Sequence, residues 1–115
     1  MLHYQQVVER FDEVARASIG QPVAIADLCR AAGVTQRTLS RAFQAVRGKP
    51  PSRYLHDLRL TEVRDALLSN SGGGSVTDIA MRFGFRELGR FAVDYRARFG
   101  ESPSETLRRG SVRAR

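Results

Sequence analysis

The chain has 115 residues, 42% of them hydrophobic and 27% charged, which allows one ordinary domain or two very small helical ones with a buried core. The single cysteine excludes an internal disulfide framework, and with only two histidines no structural metal is expected. No apolar segment reaches the ~20 residues of a membrane span, and the first fifteen residues are acidic and amphipathic rather than signal-like, so we expect a cytoplasmic protein with no membrane partner.

Arginine dominates the positive charge of the chain. Nineteen Lys and Arg residues against twelve Asp and Glu residues give a net charge of +7, and Lys49 is the only lysine. Arginine suits a phosphate-rich partner, because its planar guanidinium group binds both phosphates and guanine edges. A genome rich in G and C would produce the same bias, so this alternative stays open. The excess charge lies in residues 23–50, 71–100 and 101–115, whereas 51–70 is neutral.

The hydrophobic pattern predicts seven helices and no strand, and therefore an all-α protein. The predicted helices are, in chain order, one that begins at 4 and is ended by Gly20 and Pro22, then 25–32, 36–47, 51–68, 76–83, one from the turn at 84 to 99, and a short one that begins at 103. Thr35 is predicted to cap the third helix, and Ser102 and Glu105 to form a capping box at the seventh. Residues 69–75 (SNSGGGS) are expected to be a flexible connector, and 109–115 a frayed basic tail.

An internal repeat is the most informative feature. The chain matches itself at a shift of 51 residues and, after a one-residue insertion, at a shift of 52. Glycines then align with glycines and apolar residues with apolar residues. The aligned pairs include Cys29 with Ala80, Gly33 with Gly84, Leu39 with Phe91, and Phe43 with Tyr95. In each unit a small residue lets two helices cross closely, and the glycine supplies the left-handed backbone of a tight turn. This pattern is typical of a helix-turn-helix, whose second helix enters the DNA major groove. A helical bundle without a nucleic-acid role is the alternative.

The segments AIADLCRAAGVTQRTLSRAFQ, SVTDIAMRFGF and LGRFAVDYRARFGESPSETL resemble the DNA-binding domain of the AraC/XylS family of bacterial transcription regulators. The resemblance covers about residues 22–109. It implies one AraC-type domain over 1–115, with helix-turn-helix subdomains at about 4–50 and 75–108 and a linking helix at 51–68. That helix carries two apolar stripes, so it is expected to contact both subdomains.

The resemblance also implies partners and an effect. Double-stranded DNA of a promoter or operator is the expected partner, RNA polymerase is a second candidate partner, and activation of transcription near the nucleoid is the expected effect. Members of the family usually carry a separate sensing and dimerising domain, which these residues do not provide. We therefore expect the chain to be a fragment of a longer regulator; the alternative is that it acts alone, like the small members of the family that consist of this domain only.

The third predicted helix carries the candidate base readers of the first unit. Leu39 and Phe43 face the core, so Arg37, Ser40 and Arg41 share the opposite face. An arginine pairs bidentately with guanine, which is worth about 1–3 kcal/mol of discrimination. By resemblance these three positions are the usual base readers of the family, whereas the alternative is an ordinary solvated face. The residues around them predicted to contact the DNA backbone are Gln36, Thr38, Gln44, Arg47, Lys49 and Arg53.

The second recognition helix has fewer hydrogen-bond donors. Its predicted base readers are Gly89, Arg90 and Val93. Arg86 is predicted to contact the DNA backbone, and both Arg86 and Val93 depart from the residues common in the family. Glu87 and Asp94 lie within reach of Arg90 on the same helix. We therefore hypothesise that the first unit supplies most base specificity, while the second positions the protein through phosphates and DNA shape or contacts RNA polymerase.

Enzymatic interpretations find little support in the sequence. Gly48, Lys49 and Pro50 resemble the end of a phosphate loop, but Pro50 replaces the required Ser or Thr. Cys29 has no histidine near it in the sequence and is predicted to be a packing residue, so we expect neither an enzyme nor a cofactor. Two further alternatives are a non-specific architectural DNA binder and a helical protein-interaction module. Salt dependence and competition with random DNA distinguish these from specific DNA binding.

Overall fold

The computed structural model describes residues 3–18, 24–69 and 73–113. Within these ranges the chain forms seven α-helices and no strand, which confirms the all-α prediction. The helices are α1 (Tyr4–Ala17), α2 (Ile25–Ala32), α3 (Gln36–Arg47), α4 (Pro51–Ser69), α5 (Val76–Arg82), α6 (Leu88–Phe99) and α7 (Pro103–Arg113). The break predicted at Gly20 and Pro22, residues 70–72 of the predicted connector and the last two residues of the predicted tail lie outside the described residues.

The chain divides into two compact units, Met1–Leu58 and Arg59–Arg115, and each has its own core. The buried residues of the first core are Val7, Val8, Phe11, Ala15, Leu28, Cys29, Leu39, Ala42, Phe43, Leu55 and Leu58. Those of the second core are Leu60, Val63, Leu67, Ile79, Ala80, Phe83, Phe91 and Tyr95. Helix α4 contributes apolar residues to both cores, as its two stripes predicted.

The turn of each helix-turn-helix has the same backbone conformation. Gly33 has a φ of +74° and Gly84 a φ of +92°, both in the left-handed region that glycine adopts without strain. The residue after each glycine donates its N–H to the carbonyl of the small residue predicted to lie at the helix crossing. These N–H···O contacts are Val34 to Cys29 and Phe85 to Ala80, at 3.0 Å in each unit. The repeat found in the sequence is therefore a repeat of backbone structure.

Side-chain caps begin several of the helices at the predicted residues. Thr35 Oγ1 accepts a hydrogen bond from the N–H of Thr38 at 3.1 Å, and Ser102 Oγ accepts one from the N–H of Glu105 at 3.2 Å. The Glu105 side chain accepts in return from the N–H of Ser102 at 3.3 Å, which completes the predicted capping box. Ala24 precedes α2 without any side-chain cap.

The predicted fraying of the chain from residue 109 is wrong, because α7 continues as a helix to Arg113. Gly110 is buried, and a Cβ atom placed there would lie 2.5 Å from the carbonyl oxygens of both Leu67 and Leu68. Helix α7 therefore passes so close to the C-terminal end of α4 that only a residue without a side chain fits.

Candidate nucleic-acid interface

Helix α3 presents a polar face to solvent. Leu39 and Phe43 are fully buried, whereas the predicted base readers Arg37, Ser40 and Arg41 are all exposed. Arg41 lies two residues from each core residue, so at about 100° per residue it points directly away from the core. The structure thus brings the three predicted base readers together on one surface. We call Arg37, Ser40, Arg41 and the neighbouring exposed Gln44 the α3 face.

The helix beneath this face is held at its ends and along its buried side. The Thr35 cap begins it, and Gly48, with a φ of +67°, ends it. The Phe43 ring lies 5.3 Å from that of Phe11 in an edge-on arrangement and 5.1 Å from that of Tyr54. Such aromatic contacts favour one orientation of the helix on the core. The exposed arginines therefore extend from an ordered backbone.

The first turn of α3 contains two residues predicted to contact the DNA backbone. Gln36 is exposed, whereas Thr38 is half-buried. The N–H of Thr38 is already bound by Thr35, whose hydroxyl also donates to Thr38 Oγ1 at 3.0 Å. The amide of Thr38 is therefore engaged by the helix cap, and Gln36 is the more accessible of the two.

Three basic residues predicted to contact the DNA backbone lie around Tyr54 and Asp57. Arg47 Cζ lies 5.4 Å and Lys49 Nζ 5.8 Å from the centre of the Tyr54 ring. Lys49 Nζ also lies 3.0 Å from Asp57 Oδ2, and Arg53 Nε lies 3.8 Å from Asp57 Oδ1. The sequence argument missed Asp57, although its place four residues after Arg53 was a signal for this pairing. One carboxylate thus offsets part of the positive charge here.

Helix α6 presents an outer face of a different character. Phe91 is 2% exposed and Tyr95 is fully buried, whereas Val93 between them is 67% exposed. The predicted pairing within this helix is present, since Arg90 Nε lies 3.8 Å from Asp94 Oδ2. This pair is weak because the Arg90 side chain is 78% exposed. We call the exposed residues Gly89, Arg90 and Val93 the α6 face.

The shift of 52 residues places the two faces in register. Arg37 corresponds to Gly89, and Arg41 corresponds to Val93. Both members of the second pair lie at the point of their helix farthest from the buried side. Arg86, the backbone contact predicted for the second unit, is exposed in the turn before α6. The two units therefore share a scaffold but offer different chemistry at equivalent positions.

Outside these two faces, the described residues show no sign of a metal site, a reactive cysteine or a membrane-spanning helix. Over 3–18, 24–69 and 73–113 no group of His, Cys, Asp and Glu is large enough to hold a metal ion. Cys29 is 3% exposed, and burial raises the pKa of its thiol, which disfavours the reactive thiolate. Its predicted packing role agrees with this burial. None of the helices in the described part of the chain is long and apolar enough to cross a membrane.

Comparison with known proteins agrees with this geometry. The profile of the helix-turn-helix domain family matches residues 28–109 of the chain. A crystal structure of a probable AraC family transcriptional regulator from Rhodopseudomonas palustris CGA009 superposes with a TM-score of 0.79 at 36% sequence identity. The superposition covers 90% of this chain and 96% of that one. The chain therefore belongs to the AraC/XylS family and forms an AraC-type DNA-binding domain.

Two similar proteins are much longer than this chain. A probable thc operon regulatory protein of Rhodococcus erythropolis is 43% identical over 89 residues, which cover 76% of this chain and 27% of that protein. The XylDLEGF operon transcriptional activator of Pseudomonas putida is 34% identical over 106 residues, which cover 91% of this chain and 32% of that protein. The chain thus spans about a third of the length of these relatives or less. Family membership assigns sequence-specific DNA binding to this domain.

Proposed function

We propose that the α3 face reads base pairs in the major groove and supplies most of the sequence specificity of this domain. The observation that carries the proposal is the exposure of Arg37 and Arg41, four residues apart on the side of α3 opposite its core contacts. Among the described residues neither guanidinium group has an ion-pair partner, so binding a guanine edge displaces no carboxylate. Ser40 lies between them and adds a hydroxyl that serves as donor or acceptor.

The residues around the face are proposed to hold the domain on the DNA backbone. They are Gln36, Thr38, Gln44, Arg47, Lys49 and Arg53 in the first unit and Arg86 in the second. Such contacts set register and orientation without carrying sequence information. Lys49 and Arg53 share Asp57, so a phosphate must compete with this carboxylate for them. Arg47 has its aromatic contact with Tyr54 instead and is the more available cation.

The α6 face is proposed to contribute less base specificity than the α3 face. Of Gly89, Arg90 and Val93, only Arg90 is a long donor, and Asp94 lies near its guanidinium group. The second unit then acts chiefly by positioning the protein through phosphates and DNA shape. A scan of base-pair changes across the bound site is expected to show larger losses under α3 than under α6. Equal losses under both helices contradict this part of the proposal.

The primary test is to select bound sequences from a random DNA pool and then to compare Arg41→Ala with Arg53→Ala. We expect Arg41→Ala to cost about 1–3 kcal/mol on the selected site and to relax the preference at one base pair. Arg53→Ala serves as the matched control, because loss of a phosphate contact weakens all sequences alike and lowers the salt slope by about 1. An Arg41→Ala variant that weakens every sequence equally refutes the assignment of Arg41 to base reading.

The same measurements separate the two alternative functions. A non-specific architectural binder loses the selected site to a large excess of random DNA, whereas a specific domain retains it. A protein-interaction module without a DNA role shows no affinity that falls with salt concentration.

In the whole protein we propose that the domain activates transcription. The Pseudomonas putida relative is a transcriptional activator, and this supports the direction of the effect. Contact with RNA polymerase, nucleoid association and a separate sensing and dimerising domain belong to the same proposal. Transcription in vitro from a promoter that carries the selected site is expected to rise when the protein is added. A fall in transcript indicates a repressor.

A further inference from the structure

An apolar side chain occupies the position of α6 that is best placed to enter a groove. Val93 is 67% exposed and points away from Phe91 and Tyr95. Single exposed apolar residues are common on protein surfaces and need no explanation by themselves. Here, however, the residue stands at the centre of the outer face of the second helix of a helix-turn-helix, where Arg41 stands in the first unit.

The surroundings of Val93 allow close approach of a partner and favour a negatively charged one. At Gly89, one turn earlier, a Cβ atom would meet nothing within 4 Å, and Ala92 and Ala97 beside Val93 are exposed and small. Arg86, in the turn before α6, and Arg90, three residues before Val93, are both exposed cations. A small apolar centre with cationic edges suits a DNA groove, because phosphates line both sides of the groove and the base edges at its floor include an apolar methyl group.

The apolar group that a major groove offers is the C5-methyl group of thymine. Valine has no hydrogen-bonding atom in its side chain, so it cannot distinguish bases by their hydrogen-bond donors and acceptors. Contact between two apolar groups removes both from water, which is favourable. An apolar residue at this position therefore distinguishes thymine from the other bases by one methyl group.

We propose that Val93 recognises the C5-methyl group of a thymine, so that the second unit reads DNA by apolar contact and the first by hydrogen bonds to guanine. This inference rests on the proposed function of α6 as a groove-binding helix. It specifies the chemistry at that site, since the sequence selected by the protein must contain thymine opposite Val93.

The test replaces each thymine under α6 in the selected site by deoxyuridine, which keeps base pairing and removes only the methyl group. For the 115-residue chain we expect one such replacement to weaken binding about fourfold, the value for one methyl-sized apolar group. In Val93→Ser the same replacement is expected to have no further effect, whereas Val93→Thr, which keeps a methyl group, retains part of it. Met81→Ser is the matched control, because Met81 is a 54% exposed apolar residue on α5 of the same unit.

Each alternative outcome overturns the inference and leaves the proposed function separately testable. A selected site without thymine under α6, or a uracil penalty that persists in Val93→Ser, shows that Val93 does not read a methyl group. An unchanged DNA affinity in Val93→Ser together with reduced transcription by purified RNA polymerase assigns the α6 face to a protein partner. If the wild-type chain shows no sequence-specific DNA binding, in contrast, the proposed function itself is contradicted.

Discussion

In the first unit two arginines four residues apart, Arg37 and Arg41, extend into solvent from α3, whereas Gly89 and Val93 stand at the equivalent positions of α6. Beneath these faces the two units keep the same left-handed glycine turn and a buried pair of residues at equivalent positions, although the residue types differ. Close packing admits few residue types at a helix crossing, but it places no such demand on a side chain that points into water. The two units therefore share the packing that positions the recognition helix, whereas the exposed residues that would contact DNA differ between them.

The two units also differ in how their helices are stabilised. In the first unit the cap is on the recognition helix, at Thr35, and Ala24 leaves α2 without one. In the second unit Ser75 caps α5 with a complete capping box, while Glu87 gives α6 no side-chain cap. Helix α6 is instead tied to α7 through Tyr95. Equivalent helices of the two units are thus stabilised by different local contacts.

The largest effect on the second unit is expected from Gly110→Ala. The new Cβ atom would lie 2.5 Å from two backbone carbonyl oxygens of α4, so the helices must separate. We expect a loss of about 2–3 kcal/mol in the free energy of unfolding by urea, in the range of overpacked cores. Gly89→Ala is the control, because that Cβ meets nothing within 4 Å and the better helix former should stabilise α6 by up to about 1 kcal/mol. Equal effects of the two substitutions contradict the close helix contact.

A single substitution makes the α6 face resemble the α3 face at its central position. Val93→Arg places an arginine at the position equivalent to Arg41, and folding should be unaffected because the site is 67% exposed. Selection from a random DNA pool is expected to give guanine at one base pair under α6, with a discrimination of about 1–3 kcal/mol. If the variant selects the same sequence as the wild type, the outer face of α6 does not read bases.

The capping difference predicts a pair of opposite, smaller changes. Ser75→Ala removes the hydroxyl that accepts from the N–H of Asp78 at 3.1 Å and should cost about 1 kcal/mol of stability. Ala24→Ser supplies the missing hydroxyl at the same point of the other unit and should add a similar amount at most. Urea unfolding of both variants measures the pair. Should both substitutions destabilise the chain, the two helix starts are not equivalent.

Local rules account for the features that the sequence predicted. Turn glycines, caps and the faces of α3 and α6 follow from spacing within a few residues, and the repeat doubled each signal. Gly110 and its close contact with α4 were missed because they depend on residues more than forty positions apart. Asp57 was missed for a different reason: a basic residue near a recognition helix predicts a phosphate contact, but Lys49 and Arg53 also pair with this carboxylate of α4. The DNA contacts of the predicted site residues stay predictions, because they depend on the shape of the partner.

The smallest effect concerns the tyrosine that anchors α6. Tyr95 is fully buried, and its hydroxyl donates to Thr106 Oγ1 at 2.7 Å. Burial raises the pKa of Tyr95 above its ordinary value of 10.0; the charge of Glu101 acts in the same direction, and the hydrogen bond with Thr106 offsets only part of the effect. A raised pKa means that the fold favours the neutral phenol. The stability from this group is therefore complete below pH 10 and is lost as the pH rises through the folded-state pKa, because only the unfolded chain ionises readily.

Tyr95→Phe isolates this contribution. The substitution should cost about 1 kcal/mol near neutral pH for the lost hydrogen bond. It should also flatten the decline of the unfolding free energy above pH 10, since no phenol is left to ionise at this site. Burial raises the pKa of Tyr54 in the first unit as well, so Tyr54→Phe removes a separate part of the same decline. If the wild-type and Tyr95→Phe curves run parallel above pH 10, burial does not raise the pKa of this phenol.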